Sequence, residues 1–220
     1  MHLRSFFILL AICAAPCSGA ALEERCTNGM FATDNPEVGL GIITQGKPVS
    51  VTSDIRYCSN ARCPELPSGR KVITGRTVGQ FICVYIYHYG KSDLTGWVDA
   101  ARVQSLAINP NPPQTAWSGR WSSYGNPILR LYMRDGKLMA KGAAAWPGLG
   151  MTRAELREVG LRHVYSGEID EPLQVSGNRA HAPECNVTFT LLGDYIVGAD
   201  PTPQCGGANV HFSGVYRRVR

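Results

Sequence analysis

The chain has 220 residues, 44% of them apolar and 18% charged, which excludes a disordered polypeptide and leaves one or two globular domains. Its 22 basic and 17 acidic residues give a formal charge of +5, too mild an excess for a nucleic-acid-binding footprint. The 24 glycines and 14 prolines are scattered as punctuation, which suits many short strands joined by tight turns.

The first element in chain order is MHLRSFFILLAICAAPCSGA, which reads as an export signal over residues 1–20. Arg4 supplies the positive region, Phe6 to Ala15 the apolar run, and Ser18-Gly19-Ala20 a small-residue cleavage site after Ala20. The apolar run is shorter than the ~20 residues a span requires, and no later segment approaches that length, so no membrane span is expected. Pro16 before Cys17 and Ile12 before Cys13 do not fit a lipid-modified cysteine. A periplasmic or secreted location follows, and export argues against a nucleic-acid partner.

Export changes how cysteines are read. Of 8 cysteines, Cys13 and Cys17 leave with the signal, so six remain: Cys26, Cys58, Cys63, Cys83, Cys185 and Cys205. An even number in an oxidising compartment argues for disulfides, although six cysteines admit 15 connectivities. Four precede Asn109 and two follow it, so pairing within each half is the economical choice: Cys26 with Cys83, Cys58 with Cys63, Cys185 with Cys205. No CxxC occurs, and RYCSNARCPEL offers no further ligands at structural-zinc spacing. No metal and no cofactor is expected.

The segment INPNPPQTAW sets the domain boundary. Pro110, Pro112 and Pro113 cannot donate to a ladder and bias their predecessors to extended backbone, so residues 108–116 read as a stiff linker. It divides the chain into residues 22–107 and 117–220, each small enough that disulfides would help a modest core.

In the first domain, GLGIITQGKPVSVTS alternates around Ile42, Val49 and Val51 with a turn at Gln45 to Pro48. A strand RKVITGRTV, a long strand from Gln80 to Tyr89, a turn over Gly90 to Thr95 and a closing GWVDAARV follow. Five short strands joined by turns suggest a small closed barrel, which removes exposed edges. Both alternating faces of FICVYIYHY are apolar or aromatic, so part of this strand has to be covered. A row of Tyr at a barrel surface suits gripping an extended peptide or glycan, and the same rings also serve to line and rim a core. The candidate ligand contacts are Tyr85, Tyr87, Tyr89 and Trp97.

The second domain opens with a hairpin around Arg134-Asp135-Gly136-Lys137, where Asp-Gly lies between apolar strands. Thr152 to Glu155 matches a capping box, which reads as a helical turn over Arg153 to Glu158 ended by Gly160 or equally as a loop. Strands HVYSGEI, PLQVSG, NVTFTLLG, DYIVGAD and NVHFSGVYRRV follow, with Gly193-Asp194 turning one pair. In that hairpin partners sum to 387, which puts Cys185 opposite Thr202 and Cys205 near residue 182, and a bend at Pro201 and Pro203 would bring the two sulfurs within bonding range. The fold class expected is therefore all-β: a small barrel joined by a Pro-rich linker to a second, antiparallel β-barrel-like domain.

The first domain resembles the bacterial SH3-like domain, on the strength of the Val49-x-Val51 strand, the aromatic strand ending in a Gly turn, and Gly96-Trp97-Val98 followed by Val103. That resemblance implies binding rather than turnover, with peptidoglycan stem peptides or an envelope protein as partner. The Cys58 to Cys63 loop departs from the family pattern. The second domain resembles an uncharacterised exported proteobacterial domain, through Glu184, Cys185 and Val187 and the terminal Cys205, Gly206, Gly207, Asn209, Val210, Phe212, Gly214, Tyr216 and Arg217. Trp117, Gly119 and Trp121 at its start and Tyr216-Arg217 at its end are similar to lipocalin-like and avidin-like barrels, whose first and last strands meet.

Groups for catalysis are scattered. His88, His163, His181 and His211 sit in no HExxH or HxH frame, and Ser166-Gly167 and Ser213-Gly214 lack the nucleophile-elbow pattern. Glu168, Asp170 and Glu171 read as a solvated turn, and Arg217-Arg218-Val219-Arg220 as a solubilising tail that could touch anionic polymer. The function expected is that of an exported non-enzymatic binding protein of the cell envelope. The alternative is a periplasmic inhibitor or immunity protein against a cell-wall hydrolase, a role that rigid, disulfide-stapled β proteins suit.

Overall fold

The computed structural model of the protein describes residues 26–27, 31–34, 37–52, 63–89, 92–123, 126–146, 153–158, 160, 164–207 and 209–219. The expected leader, Cys58 and His163 lie outside these residues. Among the described residues no helix is long and apolar enough to cross a membrane.

The first half holds a short helix α1 (Phe31–Asp34) and strands β1 (Gly39–Ile43), β2 (Val49–Ser50), β3 (Glu65–Leu66), β4 (Lys71–Val78), β5 (Phe81–Tyr89), β6 (Ser92–Asp99) and β7 (Val103–Leu106). Five of them form one antiparallel sheet in the order β6-β5-β4-β1-β7. The turn expected over Gly90 to Thr95 is shorter, because β6 resumes at Ser92 and pairs along β5 through Ile86↔Leu94 to Phe81↔Asp99. Nor do β1 and β2 pair across Gln45 to Pro48. β1 pairs with β4 and β7, and β2 pairs with β3. A bridge between Thr52 and Trp97 carries that second pair across the sheet, with reciprocal backbone bonds of 3.0 and 2.8 Å. This crossing explains the glycine of Gly96-Trp97-Val98: a Cβ on Gly96 would stand 2.6 Å from the Thr52 carbonyl oxygen and 2.5 Å from a Val51 methyl. After β6, Asp99 caps the 3-10 turn Ala100–Arg102, its carboxylate accepting from the Ala101 N–H at 2.9 Å.

The second half holds β8 (Gly119–Ser123), β9 (Asn126–Arg134), β10 (Lys137–Trp146), α2 (Arg153–Glu158), β11 (Tyr165–Pro172), β12 (Gln174–Ser176), β13 (Arg179–Ala182), β14 (Val187–Leu192), β15 (Tyr195–Ala199) and β16 (Gly214–Val219). Its nine-stranded antiparallel sheet runs β11-β10-β9-β8-β16-β15-β14-β13-β12. First and last strands meet, Tyr216 opposite Ser123 and Val219 opposite Arg120. The sheet is a nearly closed barrel, because its two edge strands, β11 and β12, are separated only by Leu173 in the chain. Asp135 and Gly136 both take positive φ (51° and 75°), the backbone a two-residue hairpin turn between β9 and β10 requires. The Gly193-Asp194 turn sets the register Leu192↔Tyr195, as the sum of 387 demands. Helix α2 spans the predicted residues, and Gly160 follows it at φ 71°.

The barrel is filled. Trp121, Leu129, Leu131, Ile169, Phe189, Ile196 and Tyr216 from six of its strands form one buried cluster with Trp117, which precedes β8. The five-stranded sheet has a cluster on each face. One, against β2 and β3, contains Val49, Val51, Leu66, Val72, Val84, Ile86 and Val98. The other contains Ile73, Cys83, Tyr85 and Trp97 and also Leu192, Val197 and Val215 of the barrel wall. The boundary at residues 108–116 therefore separates two sheets but not two cores. Cys26, Phe31 and Ala32 complete that shared core, with α1 packed on β15 and β16 and Cys26 bonded to Cys83.

The two disulfides Cys26–Cys83 and Cys185–Cys205 match the sequence pairing and fit an oxidising, exported environment. Cys63 is also disulfide-bonded, and Cys58, the partner the sequence assigns it, lies outside the described residues.

Candidate functional site

The aromatic strand β5 supplies the side chains that sequence singles out, and alternation sends Tyr85 and Tyr87 to the face shared with the barrel. Tyr85 is buried: its hydroxyl donates to the Asp93 carboxylate, and the Phe31 ring lies 5.3 Å away. Burial, and then the Asp93 carboxylate, push its phenol far above the ordinary range. Tyr87 is half-buried, donates its hydroxyl to the Ser122 carbonyl at 3.1 Å, and stands 6.1 Å from the Tyr195 ring. Burial raises the Tyr87 pKa as well. Trp97 is wholly buried, with the Arg76 guanidinium 5.8 Å over its ring. The backbone of Tyr89 pairs with Ser92, and its side chain lies outside the described residues.

Three of the four rings named as ligand contacts thus meet the barrel or the shared core. Trp97 and Tyr85 present no surface to an external ligand, and Tyr87 spends its hydroxyl on the barrel. The strand does have a cover, as its two apolar faces require, but the cover is the chain's own second half. Sequence could not show this, because a ring that grips a ligand and a ring that packs on another sheet have the same period and composition.

An open site lies at the edge of the same seam. A cleft of about 260 Å³ is lined by Leu40, Ile108, Pro112, Pro113, Leu191 and Arg218. Its walls come from Leu40 of β1, the residues that follow β7, the Pro-rich segment, the hairpin between β14 and β15, and Arg218 of β16. The Pro-rich residues do not hang free as a spacer. Ile108 packs against the shared core, the Asn109 side chain accepts from the Asn111 N–H at 3.0 Å, and Gln114–Ala116 form a 3-10 turn. The Pro110 carbonyl oxygen lies so close to Gly177 that a Cβ there would stand 2.6 Å from it.

Arg218 fixes this segment. Its guanidinium donates to the Ser118 carbonyl at 2.6 Å and to the Ala116 carbonyl, and it stacks 4.2 Å over the Trp121 ring. The final Arg-rich run is therefore strand rather than tail: Arg217, Arg218 and Val219 belong to β16, and Arg220 lies outside the described residues. Sequence carried a weak signal for the clamp, since Arg218 alternates to the interior beside Tyr216.

The acidic cluster is also strand. Glu168, Asp170 and Glu171 lie on β11, and Glu171 is 2% exposed. Its two carboxylate oxygens accept from the N–H groups of Glu184 and Cys185 at 2.8 and 2.9 Å, so it bonds β11 to the turn before β14 where the barrel ladder is interrupted. Beside it, a Cβ on Gly167 would be 1.9 Å from the Cys205 carbonyl oxygen. Glu171, Cys185 and Cys205 have ligand atoms within 4.8 Å of one another, close enough for a metal ion. Both sulfurs are committed to a disulfide and both oxygens to backbone N–H groups, so the cluster is a staple of the seam.

Asp200 is buried and accepts from the Phe212 N–H at 2.6 Å, with His211 Nδ1 3.4 Å from its other oxygen. Burial raises its pKa, and the bond from Phe212 and the neighbouring imidazole oppose that rise. His181 Nδ1 lies 3.2 Å from the Thr188 hydroxyl on the neighbouring strand. The side chain of His88 lies outside the described residues.

No protein family, no curated protein and no solved structure matches this chain.

Proposed function

We propose that the protein is an exported binding protein of the cell envelope and that the cleft beside the Pro-rich segment takes an extended peptide, a peptidoglycan stem peptide or a segment of an envelope protein. The observation that carries this reading is the cleft's position at the end of β7. That strand is an edge of the five-stranded sheet, pairs on one side only among the described residues, and exposes Gln104 and Ser105. A peptide added along such an edge gains backbone hydrogen bonds and drops alternate side chains into the adjoining apolar pocket. Leu40, Ile108, Pro112 and Pro113 offer that pocket, already fixed by the Arg218 clamp, so little ordering cost is left for binding.

Binding rather than turnover is supported by how the reactive groups are used. The Glu171 oxygens hold two backbone N–H groups, Asp200 holds the chain at Phe212, and the Cys185 and Cys205 sulfurs hold each other.

Sedimentation with purified sacculi tests the reading. The wild-type protein should co-sediment, and Ala107→Arg, which places a long cation in the cleft from an exposed position, should weaken sedimentation at least fivefold with an unchanged melting profile. Full binding by Ala107→Arg would remove the cleft from the proposal. Failure of the wild type to bind sacculi, together with binding to a lysozyme-like or amidase-like enzyme, would replace this reading with that of a hydrolase inhibitor.

A further inference from the structure

The outer wall of the barrel carries a second surface whose charge pattern is set by strand register. Reading across β16, β8, β9, β10 and β11, one row of directly opposed residues is Val219, Arg120, Arg130, Lys141 and Asp170. Three cations therefore stand side by side on adjacent strands, where opposed Cβ atoms are only ~4.5–5.5 Å apart and like charges disfavour the pairing. Lys141 is relieved by Asp170, which it meets at 2.7 Å. Arg120 and Arg130 are exposed, and among the described residues neither meets a carboxylate.

The row is the centre of a wider field. Along β9 and β10, Arg134 faces Lys137 at the hairpin end, a second opposed cationic pair. No Asp or Glu occurs anywhere within β8, β9, β10 or β16. The carboxylates nearby are confined to the margins, at the Asp135 turn and on β11. An aromatic ring is set into the field as well: the Arg130 guanidinium lies 5.3 Å from the Tyr132 ring centre.

We propose that this wall is a docking surface for a linear anionic polymer, a glycan bearing carboxylate, phosphate or sulfate groups, laid across the strands. Opposed like charges cost the folded chain stability and return nothing to it, so the row is explained by a partner that neutralises it. A polyanion running across β8, β9 and β10 meets a new cation at each of these three strands, and the Tyr132 ring beside them provides a face on which a sugar ring can stack. The outer wall of a nearly closed barrel is convex, so a flat lipid surface would meet only its crest, whereas a flexible polymer follows it. This surface is separate from the peptide cleft, and its test does not depend on that reading.

The test uses the full exported protein with a heparin oligosaccharide as the probe, by calorimetry at several KCl concentrations. Wild type should bind, with affinity falling steeply as salt rises, because binding releases counterions. Arg120→Gln combined with Arg130→Gln should weaken binding at least tenfold at 50 mM salt and flatten the salt dependence. The same double variant should melt no lower than wild type, since it relieves a like-charge pair; a merely structural role for the two arginines predicts the opposite. Lys47→Gln with Lys71→Gln, two exposed lysines of the first half, makes the same change in net charge and should leave binding intact. The proposal is overturned if wild type does not bind heparin at low salt, or if the lysine control loses as much as the arginine variant. Tighter, arginine-dependent binding to phosphatidylglycerol vesicles than to heparin would assign the wall to a membrane surface and overturn it as well.

Discussion

The barrel has two walls built by the same rule with opposite outcomes. On β15 and β16 the outward positions Val197 and Val215 are 3% and 1% exposed, because the first half of the chain covers them. On β8, β9 and β10 the outward positions include Arg120, Arg130 and Lys141, and all three are exposed. The change occurs within one strand: Val215 lies under the cover, and Arg217, two residues on and facing the same way, lies 6.0 Å from the Tyr87 ring at its border. A strand reports the environment of each face through its alternate residues, so a wall that reads apolar on both faces has a second layer on it.

The covered wall makes the strongest prediction. Trp97 is buried where that wall meets the first sheet, so Trp97→Ala should cost about 3–5 kcal/mol, as large-to-small aromatic core changes do. Because its cluster includes Leu192, Val197 and Val215, urea unfolding followed by separate probes in the two halves should remain coincident at the lower midpoint. Loss of the first half alone, with the barrel melting as in wild type, would show that the shared core does not couple them.

Much of the layout was legible in the sequence, and the misses have one cause. The Asp135-Gly136 and Gly193-Asp194 turns are local, so residue spacing fixes them, whereas α2 was one of two readings of its capping box and the Cys185–Cys205 bridge needs a bend beyond the register that the turn sets. The docking of Tyr85 and Tyr87 on the barrel joins residues that are near only after both sheets exist. Tyr87 meets Ser122, 35 positions away, and the Phe31 ring that covers Tyr85 belongs to a four-residue helix with no capping pattern to announce it. Glu171 was legible as an acid but not as a staple, since its partners are backbone N–H groups, which no side-chain pattern marks. The Pro-rich segment was legible as extended chain, and its place against the barrel depends on Arg218, about one hundred residues further on.

The uncovered side of the barrel depends on closure where its ladder is interrupted. Glu171→Gln keeps the shape of the side chain but turns one acceptor into a donor that faces an N–H group. It should cost about 1.5–3 kcal/mol, the scale of hydrogen bonds to a charged group, and should speed amide exchange at Glu184 and Cys185. Unchanged exchange there would show that the disulfide alone closes the barrel. Tyr87→Phe, by contrast, removes one hydrogen bond to a carbonyl at the border of the two walls and should cost only about 0.5–1.5 kcal/mol by thermal melting. A larger loss would mean that the covered wall extends further toward Arg217 than the packing indicates.

The smallest effect is expected where opposing influences meet on one group. Burial of Asp200 lifts its folded-state pKa above the ordinary 3.8, and the bond from the Phe212 N–H and the neighbouring His211 pull it back. The folded protein then takes up this proton at a higher pH than the unfolded chain does. This group's contribution to stability grows as pH falls through its folded pKa and levels off below the unfolded value. Asp200→Asn, neutral at every pH, lacks that contribution, so the stability difference between wild type and variant should move in favour of wild type as pH falls from 7 toward 4. Carrying His211→Gln in both proteins removes an imidazole whose ordinary titration falls in the same range. Movement in favour of the variant would mean that the Phe212 bond outweighs burial and holds the carboxylate as an anion.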